Sequence, residues 1–513
     1  MISKIIIKYF SSLFVILIIL KLIDIIKSLL IASKLGVSAS ADIFMGVVSI
    51  PDSLIVLVGI DSIKGVVNSE FSSYYAKNEN IKLWDTFNKL ANLIFFSSII
   101  FTFIFIIFRT NVIDILLPGF SSLKKSLAYK ISLIIFPLFF IKSITGIYHA
   151  SMNALKHFYF PVIINVLPTL VIIASLFLPY INDEVIYNLS YATLLGNILI
   201  FVFSYLRIKH LGGDFKLSFS FFNDETKRIV KGCGSIIVLL VFEQIFILSK
   251  NIIASYYGEG AISSLNYARA IPFTFMGLIF GAVFSVLLTN LSNLIAIDIK
   301  KKSKSLFINT IFSLFYFIIP VTIILLISCK EILSLLYLRG NFTIEGIEIT
   351  LLPFRWEIFS ILTFILYIIP TALFLAKKEY SKLNKIGSSI YIIGVPTNLI
   401  LCNFMGFYGI SVSNLIITGL YGLILLIYSR KFFGKYKVEI KIFIRLIISG
   451  LFTLIFSFII KRLFFYVAYY DLFINIKDLF IMSIIIILIY YLSTYILKVD
   501  YFKKLILQKL KNY

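Results

Sequence analysis

Three charged side chains interrupt a stretch otherwise apolar enough to enter a bilayer. Lys21, Asp24 and Lys27 fall at intervals of three near the start of LKLIDIIKSLLIASKLGVSASADIFMGVVSIP, residues Leu20 to Pro51. On a helix that spacing gathers them on one broad face. A charge near the bilayer centre costs roughly 2.5–3.5 kcal/mol on insertion scales. Such a face therefore turns toward a partner or a wet cavity. Two cations around one anion leave it net positive. Its chemistry is electrostatic: either it holds an anion, or it is a Lys–Asp pair that only fixes packing.

Other charged residues lie inside apolar segments. Glu243 and Lys250 are seven residues apart, on one helix face two turns along, and read as a structural pair joined by a third group or as an ion-coupling site. Arg269 can join Lys21 and Lys27 in a cationic cluster, or snorkel to lipid headgroups. Arg355 and Glu357 flank Trp356 and read as an interfacial anchor. No nucleophile–base pair, phosphate-cradling glycine loop or metal cluster is found in the sequence, and no cofactor is expected. His149, His157 and His210 lack metal-ligand spacing. Cys233, Cys329 and Cys402 are odd in number and lie in or beside apolar segments, so no disulfide framework is implied.

Composition says what must position these groups. The chain is 60% hydrophobic with a mean hydropathy of +1.01, which marks a polytopic membrane protein. The excess of 48 Lys+Arg over 25 Asp+Glu falls in connecting loops, as the positive-inside rule requires, and gives no reason to expect nucleic acid. An N-terminal signal peptide is rejected, because the apolar stretch is too long and charges break its core. Runs of about 20 apolar residues give about fourteen spans. They fall near 9–34, 42–66, 86–109, 126–152, 159–180, 187–209, 229–256, 262–292, 304–328, 347–376, 383–402, 407–430, 441–461 and 478–498. Several contain proline, which membrane helices tolerate. Even-numbered connections are rich in lysine and arginine, and the tail adds Lys503, Lys504, Lys509 and Lys511. Both termini are thus expected to be cytoplasmic. Lys124 and Lys125 are the main exception.

The chain also repeats itself. Ile31-Ala32-Ser33-x-x-Gly36 recurs as Ile253-Ala254-Ser255-x-x-Gly258, and Ile50-Pro51 as Ile271-Pro272. Leu116, Leu117, Gly119 and Phe120 parallel Leu335, Leu336, Gly340 and Phe342. A constant offset of about 222 residues argues for a duplicated unit. The expected organisation is an all-α protein of two parallel six-helix lobes, 1–215 and 216–437. An extra helix pair with a basic tail follows at 438–513.

Gly36 with Ala41-Asp42-x-Phe44 and Pro51, Leu117-Pro118-Gly119-Phe120, Asn266-Tyr267-Ala268-Arg269 and Leu336-x-x-Arg339-Gly340-x-Phe342-Thr343 resemble the MurJ/MviN lipid II flippases. These belong to the multidrug/oligosaccharidyl-lipid/polysaccharide exporter superfamily. The resemblance runs over essentially the whole chain. It implies export of undecaprenyl-diphosphate-linked sugars by alternating access, using cationic cavity residues and a groove on the two extra helices. By position, the family's two first-helix arginines fall on Lys21 and Lys27, and its aspartate before the second helix falls on Asp42. Lysine keeps the charge without arginine's bidentate fork. The family's basic residue early in the second helix falls on Ile55, and its Glu-Gly on Ile60-Asp61. Its Ala-Asp-Arg reads Ala268-Arg269-Ala270 here, and many members carry an acid where this chain has Lys250. The departures suit a divergent member.

The resulting expectation is a flippase for lipid II or a related peptidoglycan precursor. It is expected to act as a monomer in the bacterial cytoplasmic membrane and to bind substrate through Lys21, Lys27 and Arg269, with Asp24 and Asp42 in support. Glu243 and Lys250 are the candidate coupling residues. A diphosphate headgroup with sugars cannot cross hydrocarbon unaided, so a wet cationic cavity suffices and no covalent step is needed. The alternatives are an O-antigen or capsule repeat-unit flippase, a multidrug/cation antiporter, and a polyprenyl-phosphate-sugar glycosyltransferase. A glycosyltransferase should have a long outer loop with catalytic acids. An antiporter should have acidic and aromatic cavity residues.

Overall fold

Apolar runs of this length can satisfy their backbone in lipid only as helices or closed barrels, and helices are what form. The computed structural model describes residues 2–181, 184–434, 437–465 and 471–499. Asp183, Lys435 and the basic tail beyond residue 499 lie outside these. Among the described residues, all regular structure is helical.

The first helices are α1 (Ile2–Leu35), α2 (Ala39–Leu57), α3 (Ile60–Ala76), α4 (Asn80–Ile107) and α5 (Arg109–Leu116). Next come α6 (Ser122–Ile135), α7 (Leu138–Ala154), α8 (Tyr159–Ile164), α9 (Leu167–Ser175), α10 (Val185–His210) and α11 (Asp224–Ala254). They are followed by α12 (Ala261–Ile279), α13 (Ser285–Ala296), α14 (Lys300–Ile327), α15 (Cys329–Tyr337) and α16 (Ile344–Ala376). The last are α17 (Tyr380–Met405), α18 (Gly409–Phe433), α19 (Lys437–Phe464) and α20 (Leu472–Ile496).

Among the described residues, eleven helical segments are long and apolar enough to cross a membrane. They coincide with eleven of the expected spans. Of the other three, one is a continuous helix and two are broken. Helix α1 is continuous over the whole of its expected span and carries Lys21, Asp24 and Lys27 within it. The expected span 159–180 breaks into α8 and α9, which restarts with Pro168 in its first turn. The expected span 262–292 divides into α12 and α13, joined by a π-helical turn at Phe280–Phe284. Such turns open the regular ladder by one residue. The expected span 42–66 also breaks. Helix α2 ends at Leu57 and α3 begins after Gly59, whose left-handed φ of 83° suits glycine.

The chain forms two compact units by contact, residues 1–266 with 387–410 and residues 267–386 with 411–513. These boundaries follow packing, whereas the expected segments 1–215, 216–437 and 438–513 follow the repeat. In the first unit, α7 packs against α3, α4 and α10, α2 packs against α6, and α11 packs against α2 and α3. One buried core joins Ile31, Val47, Leu117, Ile135, Leu189 and Ile262. A second joins Phe71, Phe87, Leu90, Ile147 and Tyr148. In the second unit, α14 packs against α16 and α19, and the pair α19–α20 lies against α14 and α15.

Candidate functional site

Helix α1 has two unlike faces. Val15, Ile19, Leu22 and Ile26 form its most exposed apolar stripe. Lys21, Asp24 and Lys27 project on the opposite side, as 3.6-residue periodicity dictates. There they meet α9. Lys21 donates to Asp24 Oδ2 at 3.3 Å, and the Lys27 ammonium lies 3.5 Å from Asp24 Oδ1. Thr169, just after Pro168, donates to Asp24 Oδ1 at 2.9 Å and accepts from Lys27 at 3.4 Å. One carboxylate therefore serves two ammoniums and a hydroxyl. The cluster keeps a net positive charge, and its three charged side chains remain 26–38% exposed. An anion can reach it. Thr169 was missed by sequence reasoning, because nothing local ties it to Asp24.

Asp42 is differently placed. Ser38 caps α2 by accepting from Ala41 N, which puts Asp42 in the first turn. Its carboxylate is fully buried. Oδ2 accepts from Gly260 N at 2.7 Å and from Lys124 Nζ at 3.4 Å, while Oδ1 accepts from Ser263 N at 2.8 Å. Asp42 thus receives free amide groups at the start of α12, where the helix dipole also favours an anion. Lys124, one of the two exceptions to the loop-charge pattern, is this buried partner. Lys125 instead pairs with Asp114 at 2.8 Å. That hydrogen bond, with one from Tyr129, holds the Asp114 carboxyl below its usual range.

From Asp42 onward, polar contacts run along the seam of α2, α3 and the start of α4 with α11. Asn251 donates to Ser49 Oγ at 3.0 Å, and Gln244 to Ser53 Oγ at 2.7 Å. At the far end Arg228 pairs with Glu70 at 2.5 Å, and Lys82 with Glu225 at 2.9 Å. The Lys82 hydrogen bond pulls the Glu225 carboxyl below its usual range. The seam is buried at its Asp42 end and more exposed at its ion-paired end. Another pair inside apolar helices, Lys142–Asp52 at 2.7 Å, was not anticipated from sequence; the Asp52 side chain is 56% exposed.

The remaining candidates have separate surroundings. Glu243 accepts from the Tyr391 hydroxyl at 3.3 Å, and Lys250 sits over the Phe246 ring at 4.3 Å. Phe246 packs on Gly394, where a Cβ would meet its ring at 2.6 Å. Arg269, in the second unit, lies over Phe273 at 5.2 Å. Arg355 is exposed, but Glu357 is buried and accepts from Ser360 Oγ at 3.3 Å. The anchor expected of both residues therefore fails for Glu357, which points into the helix packing.

Eleven helical segments of this length and apolarity, among the described residues, define a multi-pass membrane protein. A solved lipid II flippase MurJ in an inward closed conformation shares the fold, with TM-score 0.80 at 20% identity over 96% of this chain and 100% of that one. An inward-facing multidrug resistance MATE family transporter of the MOP superfamily aligns with TM-score 0.67 at 14% identity, over 80% of this chain and 94% of that one. The family described as lipid II flippase MurJ matches residues 31–492. The chain belongs to that family. A probable lipid II flippase MurJ of Buchnera aphidicola subsp. Baizongia pistaciae (strain Bp) is 26% identical over 407 residues, 78% of each chain. One from Buchnera aphidicola subsp. Acyrthosiphon pisum (strain APS) is 24% identical over 467 residues, 86% of this chain and 88% of its own. The chain is accordingly a transporter of the flippase class and not an enzyme.

Proposed function

We propose that this chain moves lipid II, an undecaprenyl-diphosphate-linked glycan, across the bacterial cytoplasmic membrane by alternating access. The single observation that carries the substrate assignment is the uncompensated positive charge of the Lys21–Asp24–Lys27 cluster in an apolar helix. A diphosphate is the anion that a member of this family needs to hold there. Lys27 and Lys21 act as its ligands, and Asp24 orients them with Thr169. Asp42 we assign to holding the start of α12, since its oxygens already accept from protein donors. The chain works as a monomer with both termini cytoplasmic, the orientation that the loop charges favour.

Complementation of a lipid II flippase depletion tests the reading. The wild-type chain should restore growth, and Lys21→Ala/Lys27→Ala should fail to do so at equal expression. Normal growth of the double variant would remove the diphosphate ligands from the proposal. A C-terminal reporter found outside the cell would overturn the orientation.

A further inference from the structure

The second unit carries a cavity of about 640 Å³ that the transport reading does not use. It lies where α14 ends and α15 begins, beside Arg355 and Phe359 in the body of α16 and against the last turns of α19. Its rim holds four cations, Lys330, Arg355, Lys461 and Arg462, and its wall is apolar, with Ile455 and Phe458 on the α19 side. Two of the cations are matched by acids. Lys461 pairs with Glu331 at 2.7 Å, and Lys330 with Glu348 at 2.8 Å. Arg355 and Arg462 are exposed, and neither pairs with a carboxylate among the described residues. Asp478, on α20, is the remaining acid near Lys461. With Glu331, Glu348 and Asp478 against four cations, the rim stays net positive, and its two guanidiniums are the cations that no carboxylate among the described residues pairs.

The wall continues outward as lipid-facing surface. Ile455, Phe458, Ile459, Leu463 and Phe464 of α19 are all largely exposed. A pocket with an apolar wall open to the membrane and two free guanidiniums at its rim has the polarity of a lipid at its head–tail junction. Guanidinium is the side chain suited to phosphate, because its fork binds two oxygens at once. Arginine at a helix end also reaches naturally to the interface.

We propose that this cavity is a binding site for an anionic glycerophospholipid. Arg355 and Arg462 hold the phosphate, and one acyl chain runs along Ile455 and Phe458 of α19. The loop-charge pattern places this end of the helices on the outer side, so the lipid comes from the outer leaflet. The site is separate from the Lys21–Lys27 cluster, and its occupancy is read without any transport assay.

The test is lipid retention by the full-length purified chain. Phosphatidylglycerol and phosphatidylcholine with identical acyl chains are offered together, and bound lipid is counted by native mass spectrometry. The wild type should retain phosphatidylglycerol about tenfold over phosphatidylcholine, the scale of a charge-assisted phosphate contact. Arg355→Gln/Arg462→Gln should abolish that preference, and Arg355→Lys/Arg462→Lys should keep part of it. Equal retention of the two lipids by wild type, or an unchanged preference in the glutamine pair, overturns the site. Displacement by millimolar inorganic phosphate alone would make it a free-anion site and overturn the lipid assignment. If the glutamine pair does not fold, Ile455→Trp serves, since it fills the apolar part and keeps both arginines. Lost retention there supports the site, and unchanged retention overturns it.

Discussion

At the scale of single residues, the cluster on α1 works through a mismatch: two ammoniums share one carboxylate. Spacing in the sequence was enough to put Lys21, Asp24 and Lys27 on one face, because helical periodicity is local. It was not enough to find Thr169, which Pro168 brings into place from far along the chain. Nor did it show that Lys124 is a buried partner of Asp42, since a lysine in a loop-like stretch looks solvated. A charge-assisted contact to phosphate is worth roughly 1.5–3 kcal/mol, or one to two decades of affinity. Lys27→Ala should lower transport on that scale while expression persists, and Lys27→Arg should keep much of it. Asp24→Asn should cost less, since it removes a counter-charge and leaves both ligands. Transport assayed in vesicles, beside protein level, checks the order. A greater loss in Asp24→Asn than in Lys27→Ala would show that the carboxylate, and not the ammonium, meets the substrate.

At the scale of elements, the informative places are where helices break or touch closely. Length and apolarity located most spans, but the breaks at Gly59, before Pro168 and at Phe280–Phe284 depend on packing. Gly119 shows why a short motif matters. Its N–H donates to Ser255 Oγ at 2.9 Å, and a Cβ there would lie 2.5 Å from the Ser255 backbone. Gly119→Ala must push α11 and the loop after α5 apart, and should destabilise the protein by about 1–3 kcal/mol. Thermal unfolding in detergent reads it; an unchanged melting temperature would show that the contact yields freely. The ion pairs that α11 makes at the exposed end of the seam, with Glu70 of α3 and Lys82 of α4, are weaker, because water and salt screen them. Glu225 has a lowered folded pKa, so its contribution is present above the unfolded value of 4.5 and is lost as pH falls through the folded value. The fall in melting temperature in acid and in high salt should therefore be smaller for Lys82→Gln/Glu225→Gln than for the wild type. Equal falls in the two proteins would show that this end of the seam is held by packing alone.

At the scale of the molecule, the question is what fastens the C-terminal helix pair. The sequence set α19 and α20 apart, because they fall outside the duplication, and led us to expect them beside the second lobe without naming the helices that hold them. The structure shows α14 and α15 as that partner, within the second unit. The fastening is polar. Lys461 of α19 donates to the Ile327 carbonyl and to Glu331 Oε2, the latter at 2.7 Å. Glu331 is almost fully buried, with 3% of its side chain exposed, and Lys461 keeps 17%. Removing one member of such a pair leaves an uncompensated charge in low dielectric, which costs about 3–5 kcal/mol, whereas replacing both can be close to neutral. Lys461→Met should therefore weaken the docking of the pair and lower the melting temperature. Lys461→Met with Glu331→Gln should recover most of the loss, because the neutral amide no longer needs a cation and still bonds to its surroundings. A double variant as unstable as Lys461→Met would place the cost in lost packing of the lysine stem, and would leave the pair held to α14 and α15 by apolar contact.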